Sequence, residues 1–230
     1  MNKLQALWRE YKGLLAFISL MMVFRSAVAD WNYVPSSSMN PTLIAGDRVV
    51  VNKLAYSLRV PFTLVEIARW DSPRPGDVVT FDSPQDDVNL IKRVVAVEGD
   101  VIAMHNNQLT INGKLVERTL VDARRVIPSE AGDVMAEVWR ESLGDTPIDV
   151  ARLPAMNRFT EFGPVQVPPG HMLVLGDSRD NSNDSRFIGF IDTNRVTGRA
   201  VRVALSHDPA NMYLPRADRW WLPLHAGNRS

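Results

Sequence analysis

A lysine on an apolar strand face is the first residue to consider for chemistry. The stretch 89–97 has the composition of a β-strand, in which side chains alternate faces, so Lys92 shares one side with Leu90, Val94 and Ala96. Burial there would disfavour the ammonium and lower the pKa of the amine from about 10.4, which would make it a base near neutral pH. The alternative is an edge strand, from which the long stem of the lysine reaches water.

A serine cluster supplies a candidate nucleophile for such a base. Ser36, Ser37 and Ser38 follow Pro35 and precede Met39, in a segment too rich in Ser and Pro for regular structure. A serine hydroxyl becomes nucleophilic when an adjacent base takes its proton, and a neutral lysine amine can be that base. The alternative is an ordinary turn or linker, which the same composition also favours.

A dense polar loop follows the apolar strand 172–175 and occupies residues 176–186. It does not fit an EF-hand calcium loop, because the glycine and the final glutamate that such a loop needs are both missing. Its acidic residues Asp180 and Asp184 can instead pair with arginines of the same loop. This pairing predicts a rigid turn that could hold Ser182 in place, although the loop could equally be structural alone.

Composition narrows the function classes. The 230 residues contain 26 Lys plus Arg and 26 Asp plus Glu, and no basic stripe stands out, so the chain does not resemble a nucleic-acid binder. Cysteine is absent, which removes disulfides, thiolate metal sites and a Cys nucleophile. The four histidines lack the close spacing of a metal site. The sequence therefore implies no metal and no organic cofactor.

The elements that must position these residues are mainly strands. Short Val- and Ile-rich runs separated by Gly, Pro and Asp turns predict a mainly β fold. The clearest predicted strands are 48–54, 77–81, 89–97, 109–111, 171–175 and 196–203. Asn112-Gly113 is a good hairpin turn. The pattern weakens over 120–164, where one helix is predicted near 129–143, with Ser129 as its cap.

The N-terminus is typical of a membrane anchor. Three basic residues precede an apolar run at 14–24, and positive charge before such a run predicts a cytoplasmic N-terminus. A span of roughly 20 residues must then extend over about 12–29, so that Lys12 and Arg25 reach out to the polar surface. The alternative is a signal peptide removed after Ala29.

The C-terminal segment 220–224 carries two adjacent tryptophans, Trp220 and Trp221. Indole rings favour the interface between membrane and water, so the segment could touch a bilayer. Docking of this segment on the protein core is the alternative interpretation.

Three of these segments, taken in order behind an N-terminal anchor, resemble the type I signal peptidases, the bacterial leader peptidases of the serine/lysine peptidase class. Residues 35–43 are similar to the family's nucleophile box, in which the catalytic serine directly precedes a methionine. Residues 90–94, followed by Val-Glu-Gly-Asp at 97–100, resemble the box that carries the catalytic lysine. Residues 176–186 match the third box.

The resemblance implies a role for each matched residue. Ser38 is the expected nucleophile and Lys92 the general base. The hydroxyl of Ser36 and the amide of Ser38 are expected to form the oxyanion hole, and Ser182 is expected to orient Lys92 by a hydrogen bond. Ser37 departs from the family pattern, because many members carry glycine there, and a side chain makes the local backbone geometry less certain.

Further residues are implied as supports and as substrate contacts. Asp184 and Arg186 are expected to brace the third box. The family's substrates carry small residues one and three positions before the cut, bound as an extended strand in shallow apolar pockets. The residues expected to line these pockets are Val34, Met39, Leu43 and Ile91. Ordinary core packing is the alternative for these four side chains.

The implied architecture is an antiparallel signal-peptidase-like β fold with one N-terminal transmembrane helix and a small inserted subdomain. Residues 1–12 are expected in the cytoplasm, 13–30 in the membrane and 31–230 in an extracytoplasmic peptidase domain, with an insertion at about 106–164. The expected location is the bacterial inner membrane, with the catalytic domain on the periplasmic side. The expected partners are exported preproteins and the lipid bilayer, and no nucleic acid.

Two other classes of protein are compatible with parts of the sequence. One is a non-enzymatic exported β protein whose leader is removed after Ala29, with Ser38 in a linker. The other is a self-cleaving Ser-Lys regulator, which would need a DNA-binding helix-turn-helix before the peptidase. The apolar N-terminus leaves no room for such a domain.

Overall fold

The computed structural model describes residues 3–61, 63, 65–129, 132–144, 146–156 and 160–224. Residues 1–2 of the expected cytoplasmic segment and a few positions of the expected insertion lie outside these ranges. The chain starts with helix α1, Lys3–Ala27, and its last turn contains Arg25, which pairs with Asp30 at 2.8 Å. Among the described helices, none is both long enough and apolar enough to cross a membrane.

Seventeen strands and a short helix follow α1 in the described ranges. They are β1 Ala29–Tyr33, β2 Asp47–Asn52, β3 Ser57–Arg59, β4 Glu66–Arg69, β5 Val78–Asp82, β6 Asn89–Val97, β7 Val101–His105, β8 Gln108–Ile111, β9 Lys114–Leu115, β10 Arg118–Ser129, β11 Gly132–Leu143, β12 Thr146–Arg152, β13 Phe162–Gln166, β14 His171–Leu175, α2 Ser185–Ile188, β15 Ile191–Asp192, β16 Val196–Asp208 and β17 Leu214–Pro215. Every pairing between these strands is antiparallel. The mainly β prediction is therefore confirmed.

The largest sheet carries the site. Its strand order is β1-β2-β16-β5-β6-β14-β15, with β17 attached to β16. Strand β6 lies between β5 and β14, so it has a partner on both sides. This excludes the edge-strand alternative for Lys92, which is 4% exposed and sits opposite Val79 of β5.

The six predicted strands are all present, and β6 and β14 have the predicted bounds. The predicted hairpin turn is also confirmed: Asn112 and Gly113 join β8 to β9, and both have positive φ angles of 51° and 75°. Strand β16 is longer than predicted, because β-bulges let it continue to Asp208 while it pairs with three neighbours.

The predicted helix near 129–143 is wrong. Residues 132–143 instead form β11, the middle strand of a sheet in the order β10-β11-β12, and Ser129 ends β10 rather than capping a helix. Buried Ala136 and Val138 alternate along β11 as strand residues do. Pairing on both sides overrides the helix propensity of the Ala, Glu, Met and Leu residues in the segment.

The C-terminal segment docks on the main sheet. The carbonyl of Leu222 accepts a hydrogen bond from Val203 of β16, and Leu224 is buried in an apolar cluster. Docking is therefore confirmed for the end of the segment. Trp220 and Trp221 nevertheless remain 45% and 63% exposed.

Candidate active site

The first two candidate residues meet directly. The amine of Lys92 lies 2.7 Å from the hydroxyl oxygen of Ser38, although the two residues are 54 positions apart in the chain. Ser38 is 7% exposed and Lys92 is 4% exposed, so both groups are largely shielded from bulk water. At this distance a neutral amine can accept the hydroxyl proton, which is the geometric requirement for a general base.

The surroundings of Lys92 prepare the amine for that role. Desolvation by burial is the dominant effect and lowers the pKa of Lys92 to about 8, while the carboxylates of Asp184 and Asp177 raise it by a smaller amount. Leu90 and Val94, which share its strand face, pack in an apolar cluster. A substantial fraction of the amine is therefore neutral slightly above neutral pH.

A compact turn presents Ser38, the candidate nucleophile. The backbone amide of Asn40 bonds to the carbonyl of Ser37 at 3.0 Å, and the amide of Leu43 bonds to the carbonyl of Met39 at 2.9 Å. The chain reverses within these residues, which places Ser38 at the start of the turn. The hydroxyl of Ser36 lies 3.3 Å from that of Ser38, on the same side of the turn. Ser36 is therefore close enough to contact an oxyanion that forms at Ser38.

The polar loop 176–186 holds this turn from the other side. The amide of Ser178 donates to the carbonyl of Ser38 at 3.1 Å. The side-chain amide of Asn181 donates to the hydroxyl of Ser37 at 2.8 Å. Ser37, the residue that departs from the family pattern, thus has a specific contact within the site.

Asp184 and Arg186, the residues expected to support the loop, bond to each other within it. Asp184 is fully buried and accepts hydrogen bonds from the guanidinium of Arg186 at 2.8 Å and from the amide of Gly176 at 3.0 Å. It also caps α2 by accepting from the amide of Arg186. One carboxylate therefore ties the two ends of the loop together.

The other ion pairs of the loop differ from the prediction. Arg179 pairs with Glu141 of β11, and Asp180 accepts from the amide of Leu153 instead of pairing with an arginine. The prediction missed both partners because they lie in the segment 106–164, which has no recognisable motif. It also missed the buried, two-pronged ion pair of Arg93 with Asp177, although both residues lie within matched boxes.

Ser182 lines the same cavity as Ser38 and Lys92. Its hydroxyl is buried and has no hydrogen-bond partner among the residues that the structure describes. The predicted hydrogen bond to Lys92 is therefore not formed here. An unpartnered buried hydroxyl is costly, so this group is available to bind an amine or a substrate that enters the cavity.

The cavity at Ser38 has a volume of about 760 Å³ and is open to solvent on one side. Its lining residues are Ser36, Ser38, Leu90, Lys92, Arg179, Asp180, Asn181, Ser182, Asn183 and Phe187. Leu90 and Phe187 are its apolar members. The rest of the lining is polar or charged.

The four residues expected in the substrate pocket lie in or against one apolar core cluster. Val34, Met39 and Leu43 are at most 1% exposed within it, which fits the core-packing alternative in this structure. Ile91 is half-buried and packs against the same cluster. The structure does not bring these side chains to the cavity beside Ser38.

Comparisons with known proteins identify the family of this chain. The profile of the family described as "Signal peptidase, peptidase S26" matches residues 7–205. Signal peptidase I of Pseudomonas fluorescens is 34% identical over 95% of this chain and 80% of its own length, and that of Pseudomonas aeruginosa is 32% identical with the same coverage. A signal peptidase I structure from Enterococcus faecalis has a TM-score of 0.36 at 23% identity, covering 56% of this chain and 97% of its own.

The chain is thus an enzyme of the peptidase class, a hydrolase of peptide bonds. More narrowly, it belongs to the signal peptidase family, peptidase S26. The non-enzymatic exported β protein is thereby rejected.

Proposed function

We propose that this enzyme is a membrane-bound serine endopeptidase that removes signal peptides from exported preproteins after small residues, through a Ser38-Lys92 dyad and an acyl-enzyme. The observation that carries the proposal is the 2.7 Å contact between the amine of Lys92 and the hydroxyl of Ser38, both buried. The family match supports the substrate class, since the relatives are signal peptidases.

The proposed reaction has two halves. Lys92 takes the hydroxyl proton of Ser38, whose oxygen attacks the scissile carbonyl, and the resulting oxyanion is stabilised by the hydroxyl of Ser36 and the amide of Ser38. Lys92 then returns its proton to the leaving amine, which leaves an ester on Ser38. In the second half Lys92 deprotonates a water, the water attacks the ester, and the proton finally returns to the Ser38 oxygen.

The supporting residues have separate roles in this proposal. Ser182, whose hydroxyl lacks a partner, orients the amine of Lys92 once substrate occupies the cavity. Asp184 and Arg186 keep the loop closed around that hydroxyl. For substrate binding we retain the family's small-residue preference, with Ile91 the only one of the four expected pocket residues that is not fully buried.

The proposed location is the inner membrane, with α1 as the anchor and the remainder of the chain on the periplasmic side. Three basic residues before the apolar run support a cytoplasmic N-terminus. Helix α1 has 25 residues, which at about 1.5 Å per residue is longer than the roughly 30 Å hydrocarbon core. An anchor there would hold Ser38 near the membrane surface, where signal peptides emerge.

The decisive experiment is cleavage of a preprotein with an Ala-x-Ala site by the detergent-solubilised enzyme. Because each change removes a reacting group, we expect Ser38→Ala and Lys92→Ala to lower kcat by at least about 10⁴-fold. Ser36→Ala is expected to cost about 10²–10³-fold, as loss of one oxyanion donor does. Product formation is measured by gel shift and mass spectrometry.

Two exposed residues of the same types serve as matched controls, Ser72→Ala and Lys114→Ala, and both are expected to cleave at the wild-type rate. Circular dichroism establishes that every variant is folded. Unchanged cleavage by folded Ser38→Ala would rule out the proposed nucleophile. A wild-type enzyme that cuts no such preprotein would rule out the proposed substrate class.

A further inference from the structure

A buried ion pair connects the sheet β10-β11-β12 to the polar loop 176–186. Both oxygens of the Glu141 carboxylate accept from the guanidinium of Arg179, at 3.0 and 2.6 Å. Each residue is only 2% exposed, and Arg179 also borders the cavity beside Ser38. Two-pronged contacts of this kind fix the orientation of both groups.

The loop residues around Arg179 are attached to the same sheet by their backbone. The amide of Arg179 donates to the carbonyl of Ala151 in β12, and the amide of Ala151 donates to the carbonyl of Asp177. The carboxylate of Asp180 accepts from the amide of Leu153. Position and orientation of residues 177–180 are therefore set by β11, β12 and the residues just after β12.

Residues on either side of Arg179 contact the turn that begins at Ser38. Ser178, directly before Arg179, donates to the carbonyl of Ser38, and Asn181, two residues after it, donates to the hydroxyl of Ser37. Arg179 itself lines the cavity that contains Ser38 and Lys92. A displacement of Arg179 is thus transmitted to both contacts that hold the nucleophile.

We propose that Glu141 is a positioning residue for peptide cleavage, which acts through Arg179 to hold the serine nucleophile at its working distance from the lysine base. Glu141 touches neither member of the dyad, so it takes no part in proton transfer. Its effect is on the placement of Ser38, and misplacement by about 1 Å is enough to cost about 10²-fold in rate. The inference rests on the proposed Ser38-Lys92 mechanism.

The test uses the full chain in detergent with the same preprotein. Glu141→Gln keeps the side-chain shape but removes the charge that faces Arg179, so we expect kcat per folded enzyme to fall about 10–100-fold while KM stays within about twofold. A double-mutant cycle with Arg179→Gln tests whether Glu141 acts through Arg179. Since Glu141 acts through Arg179, the double variant is expected to be no slower than Arg179→Gln alone.

The neighbouring ion pair supplies the control. Arg140, adjacent to Glu141 on β11, pairs with Asp149 of β12, but these side chains are 53% and 30% exposed. Asp149→Asn is expected to leave kcat and KM unchanged. If Glu141→Gln fails to fold, Glu141→Asp keeps the charge but shortens its reach, and it is expected to lower kcat with an unfolding temperature close to wild type.

Three results would overturn the inference: a wild-type kcat in the folded Glu141 variants, a loss expressed in KM alone, or effects of Glu141→Gln and Arg179→Gln that simply multiply in the double variant. Ser38→Ala is assayed in parallel. Residual cleavage by Ser38→Ala counts against the proposed function itself. An inactive Ser38→Ala beside a fully active Glu141→Gln counts against the role of Glu141 alone.

Discussion

Lysine is an unusual base, and the surroundings of Lys92 support the role proposed for it. An exposed lysine has a pKa of about 10.4 and is almost fully protonated at neutral pH. Burial of Lys92 on an interior strand removes the water that stabilises its charge, and its pKa falls to about 8. The two aspartates that oppose this fall, Asp184 and Asp177, keep the shift moderate. The residue environment therefore sets the operating pH.

This value predicts the pH dependence of cleavage. Only the neutral amine of Lys92 accepts the Ser38 proton, so kcat/KM is expected to rise about tenfold per pH unit at low pH and to level off above about pH 8. Because protonation of the Lys92 amine removes the base, activity is lost as pH falls through the pKa of Lys92. Initial rates between pH 5.5 and 9.5, in about constant ionic strength, measure this profile.

A variant of the nearest carboxylate tests the assignment of that profile to Lys92. Asp184 raises the pKa of Lys92, and Asp184→Asn removes this charge while keeping a side chain that can still cap α2. The midpoint in the folded variant is expected to move to lower pH. A midpoint that stays in place or moves upward would assign the ionisation to another group.

At the scale of elements, the sequence predicts those parts in which local pattern and tertiary structure agree. Strands β6 and β14 have the predicted bounds because both are rich in apolar residues and lie between turn residues, as an interior strand of this sheet requires. The Asn112-Gly113 turn was predictable for a similar reason, since both residues tolerate the positive φ that the turn needs.

The sequence fails where partners are distant in the chain. Strand β11 contains good helix formers, and only its pairing with β10 and β12 makes it a strand. The partner of Arg179 is 38 residues away, so no local pattern indicates Glu141. Ser38 and Lys92 were singled out through their motifs, but their 2.7 Å contact depends on the packing of a turn, a strand and a loop.

The close contact between the polar loop 176–186 and the turn that begins at Ser38 depends on Gly176. A Cβ at this position would overlap the Ser182 side chain and lie 2.5 Å from the carbonyl oxygen of Ser38. Gly176→Ala must therefore separate loop and turn, and we expect kcat to fall at least about 100-fold. The measurement is kcat on the preprotein together with the unfolding temperature of the variant.

Gly99→Ala is the matched control for this prediction. Gly99 has a φ of +86°, but nothing lies within 4 Å of a Cβ built there. The substitution is expected to cost about 1–2 kcal/mol in backbone strain and to leave kcat unchanged. If Gly176→Ala lost no more activity than Gly99→Ala, the loop and the turn would not need their close contact for catalysis.

At the scale of the whole molecule, the β fold positions the site residues and the N-terminal helix is the proposed anchor. The main sheet places Lys92, the turn after β1 places Ser38, and the sheet β10-β11-β12 holds the loop between them. Strand β1 begins at Ala29, two residues after α1 ends. Strand β1, five residues long, is thus the one regular element between α1 and the turn that begins at Ser38.

Because β1 follows α1 so closely, an anchor at α1 would hold the Ser38 turn near the membrane surface. We expect the chain expressed in a Gram-negative host to keep Met1, to remain in the membrane after alkaline carbonate extraction, and to be cut by protease added to the periplasmic face. The expectation rests on the 25-residue length of α1 and on the basic residues before its apolar run. Release by carbonate, or a mature N-terminus at Asp30, would show instead that α1 does not anchor the enzyme.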